Sequence, residues 1–201
     1  MREALAGKLL ISVCAGVPVA QMQSALYGDD TSSNDCKIVR ALPNMAAQVR
    51  ESLTVVATST PELPQADTDL ITWMFECIGD VMFQPPNMMD ISTALAGSGG
   101  PMFSLLLEGA VDGAVAMGMP RADALKMACY TMRGATGLVL SGEHPAVFRE
   151  KASSPGGCTI GGLLVLEEGA ARGGMAKAVR EATVVASRLG SGEKNVNRPR
   201  P

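Results

Sequence analysis

Ser153-Ser154-Pro155-Gly156-Gly157-Cys158-Thr159-Ile160 joins two stretches of helical spacing and concentrates the residue types best suited to chemistry. Two glycines ahead of a helix let backbone N–H groups approach an anion, and Thr159 adds a hydroxyl beside the positive end of the helix dipole. In outline this is a small carboxylate site. The same residues also make an ordinary turn with a helix cap, because Ser, Pro and Gly are common turn formers. Spacing alone leaves both readings open.

Other candidates carry less. His144 before Pro145 offers a proton donor, but a lone histidine ahead of proline reads better as a helix start or an interface residue. Ser98, in Ala96-Gly97-Ser98-Gly99-Gly100, misses the G-x-S-x-G elbow by one glycine and has no strand before it. Glu167 and Glu168 are adjacent on a helix, so they point to different faces and form no acid and base pair. The cysteines at 14, 36, 77, 129 and 158 contain no C-x-x-C, and the chain has one histidine, which argues against a metal site. Their odd number reads as reduced thiols of a cytosolic or organellar protein.

The elements that must position these residues fall into two groups. Residues 9–14, 37–42 and 53–58 are short apolar, β-branched runs separated by turn-rich stretches such as Gly28 to Asp35, as expected of buried strands. Pro61 to Cys77 has helical spacing, with Leu70, Ile71, Met74, Phe75 and Ile78 on one stripe, and a last short strand follows at 81–83. After Pro86 nearly everything is helical: 90–117 with a break near 97–101, then Pro120 to about Leu140, 159–168 and 172–189. The expected architecture is an α/β remnant of a Rossmann-like sheet over 1–86 and an all-α domain over 87–190, with a disordered polar tail at 191–201. The helices are rich in glycine and alanine, and their apolar stripes exceed what one small bundle buries. That favours an intertwined oligomer over a self-sufficient monomeric bundle.

A formal charge of −3 without a basic face argues against nucleic-acid partners, and no apolar run is long enough to span a bilayer. Lys8 followed by Leu9 to Val17 resembles the apolar core of a signal peptide. Glu3 spoils the basic start, and Gly16 with Pro18 would end a helix, so the segment reads as a buried strand entering a turn.

Several motifs in succession carry more weight than any one. Asp90-Ile91-Ser92-Thr93-Ala94-Leu95-Ala96-Gly97-Ser98-Gly99, Asp112 to Arg121, Gly142-Glu143-His144-Pro145, Ser153 to Ile160 and Leu166-Glu167-Glu168-Gly169 resemble, in order and spacing, the pyrroline-5-carboxylate reductases. Upstream, Arg40-Ala41-Leu42-Pro43-Asn44 is similar to that family's segment beside the cofactor. The resemblance implies a Rossmann domain followed by a helical, 6-phosphogluconate-dehydrogenase-like dimerisation domain. It implies reduction of 1-pyrroline-5-carboxylate to L-proline with NADPH or NADH, by a homodimer or larger homo-oligomer. It places the substrate carboxylate at Gly157, Cys158 and Thr159, with Thr159 near the ring nitrogen as the catalytic residue. Val13, Cys14 and Ala15 would line the nicotinamide side of the cofactor cleft, with Asn44 nearby. Cytoplasmic or mitochondrial placement fits.

Departures are visible. The family's Gly-Ser-Gly-Pro-Ala is here Gly97-Ser98-Gly99-Gly100-Pro101, Tyr130 stands where glutamine is common, Met45-Ala46 replace Thr-Pro after Asn44, and Lys151 stands where some relatives have asparagine. No G-x-G-x-x-G occurs, and Met1 lies only about ten residues before the first strand, whereas a βαβ unit takes about 30. The expectation is an N-terminally truncated member that binds a dinucleotide poorly and leaves a sheet edge open. The alternative is a non-catalytic helical module that pairs with full-length reductase subunits.

Overall fold

The computed structural model describes residues 2–28, 35–59, 61–191 and 196. After a short helix α1 (Arg2–Leu5), β1 (Leu9–Ser12) leads through a loop into α2 (Val19–Tyr27), and β2 (Lys37–Leu42) follows. A 3-10 turn (Met45–Val49) joins β2 to β3 (Ser52–Ala57), then α3 (Gln65–Glu76) crosses to β4 (Gly79–Gln84). The rest is helical: α4 (Met89–Ser92), a π-helical turn (Thr93–Gly97), α5 (Gly99–Ala116), α6 (Arg121–Leu140), α7 (Pro145–Lys151), α8 (Cys158–Glu168) and α9 (Ala171–Arg188). The strands order β1-β2-β3-β4, with β1–β2 and β3–β4 parallel and β2–β3 antiparallel.

Strand alternation sorts the side chains into layers. Val39 and Ala41 of β2 and Val56 of β3 face α3, whose Ile71 and Phe75 close that core. The register pairs Ala41 with Val56 and Leu42 with Val55, so Leu42, Val55 and Ala57 share the other face and pack on Met89 of α4. Beyond them on that face, Ile38 and Cys36 meet Tyr27 of α2, and the Cys36 N–H donates to Tyr27 Oη at 2.9 Å. Burying a backbone donor beside an apolar cluster is tolerable only with such a partner.

The sequence reading of strands followed by helices holds. Its differences have local causes. α3 begins at Gln65 rather than Pro61, because Leu63 precedes Pro64 and is thereby pushed from the helical region, leaving Pro64 extended as the N-cap. Val13 and Cys14 leave β1 and are exposed. Helices α2 and α7 had no counterpart in the sequence reading. Pro18 and His144-Pro145 punctuate the chain there, yet punctuation before a run also marks a helix start, and Pro145 takes the first position of α7.

By its internal contacts the chain forms two compact units, Met1–Gly100 with Ala178–Pro201, and Pro101–Lys177. The expected disordered tail lies outside the described residues apart from 191 and 196. Among the described residues no helix is long and apolar enough to cross a membrane. All five cysteines are free.

Candidate functional site

In the second unit, the turn before α8 is built by glycine. Gly156 sits at φ +68, a conformation that side chains disfavour, and the Gly157 N–H donates to Ser154 O at 3.0 Å. A Cβ on Gly157 would collide with the Ser154 hydroxyl and lie 3.1 Å from its carbonyl oxygen. Gly157 is the N-cap of α8 and supplies no side-chain cap. The first bond of the helix runs from Gly161 N to Gly157 O at 3.4 Å, so the N–H groups of Cys158, Thr159 and Ile160 precede the helical ladder. All three residues are exposed. Unsatisfied donors and the positive end of an 11-residue helix thus open on one exposed turn, with the Thr159 side chain beside them.

His144 plays the helix-start part: its Nδ1 accepts from Ala146 N at 3.2 Å and caps α7. Glu143 pairs with Lys151 across α7 at 2.8 Å, and Glu167 pairs with Arg172 at 3.2 Å, so these carboxylates serve surface ion pairs. Ser98 ends the π-helical turn, with no strand before it. Among the described residues no group of His, Cys, Asp or Glu is arranged to hold a metal.

In the first unit, β1 and β2 are parallel neighbours, so Val13-Ala15 and Asn44 leave the sheet at the same end, the carboxyl end of the two strands. Val13 is 59% exposed, and Cys14 and Ala15 are exposed beside it. Gly16 then turns the chain at φ +72. A Cβ there would lie 2.7 Å from Leu189 Cβ, which is why the loop reaches α2 only through glycine. Asn44 is differently engaged. Its backbone N–H donates to Ser52 Oγ, its Oδ1 accepts from Ala46 N at 3.0 Å, and its Nδ2 donates to Ala96 O at 3.1 Å. Oδ1 caps the 3-10 turn Met45–Val49, and Nδ2 ties the loop after β2 to the π-helical turn.

Replacing Asn44 with alanine removes a cap and strands the Ala96 carbonyl, for an expected loss of about 2 kcal/mol. Asn44→Asp keeps the cap but sets a carboxylate oxygen against the Ala96 carbonyl oxygen, two acceptors facing each other, so it should cost at least as much. Urea denaturation with an unchanged slope checks both.

The comparisons decide the family. A family model described as pyrroline-5-carboxylate reductase dimerisation matches residues 86–189, more than half of the chain. The chain belongs to the pyrroline-5-carboxylate reductase family. It is 58% identical to a pyrroline-5-carboxylate reductase of Lophium arboricola over 201 residues, covering 98% of this chain and 63% of that protein. It is 58% identical to the Neurospora crassa pyrroline-5-carboxylate reductase over 193 residues, covering 94% of this chain and 58% of that protein. The structure of Plasmodium falciparum pyrroline carboxylate reductase with NADP bound superposes with a TM-score of 0.80 at 25% identity, covering 90% of this chain and 71% of that one. The pyrroline-5-carboxylate reductase motifs read from the sequence thus carry the same fold here, a small Rossmann-like sheet followed by helices, and this chain spans about 60% of the length of the curated relatives it matches.

Sequence reasoning missed Gly16 and Arg40 as structural keys. A charged residue in the middle of the apolar run Lys37-Ile38-Val39-Arg40-Ala41-Leu42 was the available signal for Arg40.

Proposed function

We propose that the chain takes part in reducing 1-pyrroline-5-carboxylate to L-proline with NADPH or NADH. The uncapped N-terminus of α8 supports this reading: its free N–H groups at Cys158 and Thr159 would hold the carboxylate, with Gly157 kept small so that the turn stays open. Thr159 offers its hydroxyl to the ring nitrogen, orienting the imine and supplying or relaying the proton that nitrogen takes up. When bound, the nicotinamide supplies the hydride. The exposed Val13-Cys14-Ala15 loop, at the carboxyl end of a strand where α/β sheets commonly bind ligands, is the segment that would hold it. Asn44 fits as the residue that fixes the neighbouring loop, not as a direct ligand, because its amide is used internally. For the dinucleotide phosphates this chain has no G-x-G-x-x-G. An electrophilic imine needs alignment and charge placement more than a nucleophile, which agrees with a site built of backbone donors and one hydroxyl.

The reading includes a second copy of the chain. Across Pro101–Lys177 only Val111 and Ala124 are buried, while Leu140 is 88% and Val165 66% exposed. Helices this apolar and this bare lack a core of their own, and covering them with the same face of another copy supplies one. Val165→Asp on the exposed side of α8 should leave the helical signal unchanged and convert dimer to monomer in light scattering. The five free thiols fit a reducing compartment, cytoplasmic or mitochondrial.

The test is turnover: purified chain with 1-pyrroline-5-carboxylate and NADPH, scored by loss of NADPH absorbance and by proline formed. Proline formation that Thr159→Val lowers supports the reductase. A dimer that binds proline without turnover is instead a dimerisation module for longer subunits.

A further inference from the structure

We propose that the first unit holds a second, separate anion site at Arg40, built for the carboxylate of a small amino-acid-like ligand. Arg40 lies on the face of β2 between Ile38, packed on Tyr27, and Leu42, packed on Met89. It is 6% exposed, and its Nε and Nη2 are buried without a hydrogen-bond partner. A guanidinium stays charged at any ordinary pH, and an uncompensated buried charge is strongly destabilising. The side-on pair Nε and Nη2 is the fork that matches the two oxygens of a carboxylate.

Arg40 lines a cavity of about 740 Å³. Two further donors line it independently. Ser59 Oγ is also buried and unpartnered. The first turn of the nine-residue helix α2, at Pro18 and Val19, borders the same space and has no side-chain cap. Guanidinium, hydroxyl and helix N-terminus are three groups that favour an anion.

The rest of the lining sets the ligand's charge. Glu62 and Asp90 border the cavity, and among the described residues neither forms an ion pair with Arg40. Two carboxylates nearby disfavour a phosphate dianion and attract a cationic group. A carboxylate on Arg40 with an ammonium toward the acids is an amino acid. None of Val13, Cys14, Ala15, Asn44 or the α8 turn lines this cavity.

Thermal melts of the full chain and of Arg40→Met and Ser59→Ala, each without additive and with L-alanine, acetate or phosphate, decide the matter. Without additive, Arg40→Met is expected to melt no lower than wild type, because it removes an unpaired buried charge. Saturating L-alanine raises the wild-type midpoint by roughly 5 °C, acetate by less and phosphate least. The variant Arg40→Met shows no such rise, and Ser59→Ala shows about half of it. A variant Arg40→Met that melts well below wild type without additive, and additives that shift wild type and variant alike, would mean that Arg40 is only structural. A larger shift from phosphate than from L-alanine would overturn the amino-acid assignment.

Discussion

Gly79→Ala is expected to cost about 3–5 kcal/mol and to abolish a cooperative unfolding transition near room temperature in moderate urea. Gly79 opens β4 at φ +151, paired in parallel register with Ser52 of β3. A Cβ there would overlap the Ser52 backbone, contacting its carbonyl oxygen, its carbonyl carbon and its nitrogen. Backbone cannot swing aside as a side-chain tip can, so the strands must separate. Ser52 is fully buried, and its Oγ accepts the Asn44 N–H, so the displacement spreads from the β3–β4 pairing to the loop that holds Asn44. Such a loss is a large share of the roughly 5–15 kcal/mol that holds a domain together. Circular dichroism against urea, beside the conservative control Ser52→Ala, separates a clash at β4 from loss of the Ser52 hydrogen bond. The control should lose only about 1 kcal/mol.

Gly157→Ala should behave in the opposite way, with stability nearly unchanged and proline affinity lowered about tenfold, roughly the worth of one hydrogen bond. The Gly157 backbone is ordinary extended chain at φ −77, so alanine brings no conformational strain. Its Cβ would instead turn the Ser154 hydroxyl aside and press on the Ser154 carbonyl oxygen at 3.1 Å, which the turn relieves by a small shift at the start of α8. Donors so shifted meet the two oxygens of a carboxylate less well. Calorimetric titration with L-proline, beside a urea curve for the same variant, reads the two quantities separately. A weakened fold with intact proline affinity would place the carboxylate elsewhere.

The fold was legible wherever local pattern decides. The apolar run of β2, the stripe of Ile71 and Phe75 on α3, and Gly118 with Pro120 between α5 and α6 announce their elements by spacing alone. The antiparallel β2–β3 pair was not legible, because the joining turn Met45–Val49 carries no hairpin signal and pairing is set by which faces must be covered. At the site, the glycine turn before α8 was readable because glycine has few other uses there. The role of Asn44 was not, since its partner carbonyl lies 52 residues away on Ala96. Arg40, a charge within a strand, was not singled out, and only the packing of α2 and α4 around it shows that it is buried without a partner.

The most direct test of the central claim is calorimetric titration of L-proline into the purified chain, with light-scattering mass recorded on the same sample. A dimer in which each chain holds a proline site whose affinity is lost in Thr159→Val and kept in Arg40→Met is the result predicted by a substrate turn on α8 carried by paired helical units. A folded monomer that takes up no proline would contradict it.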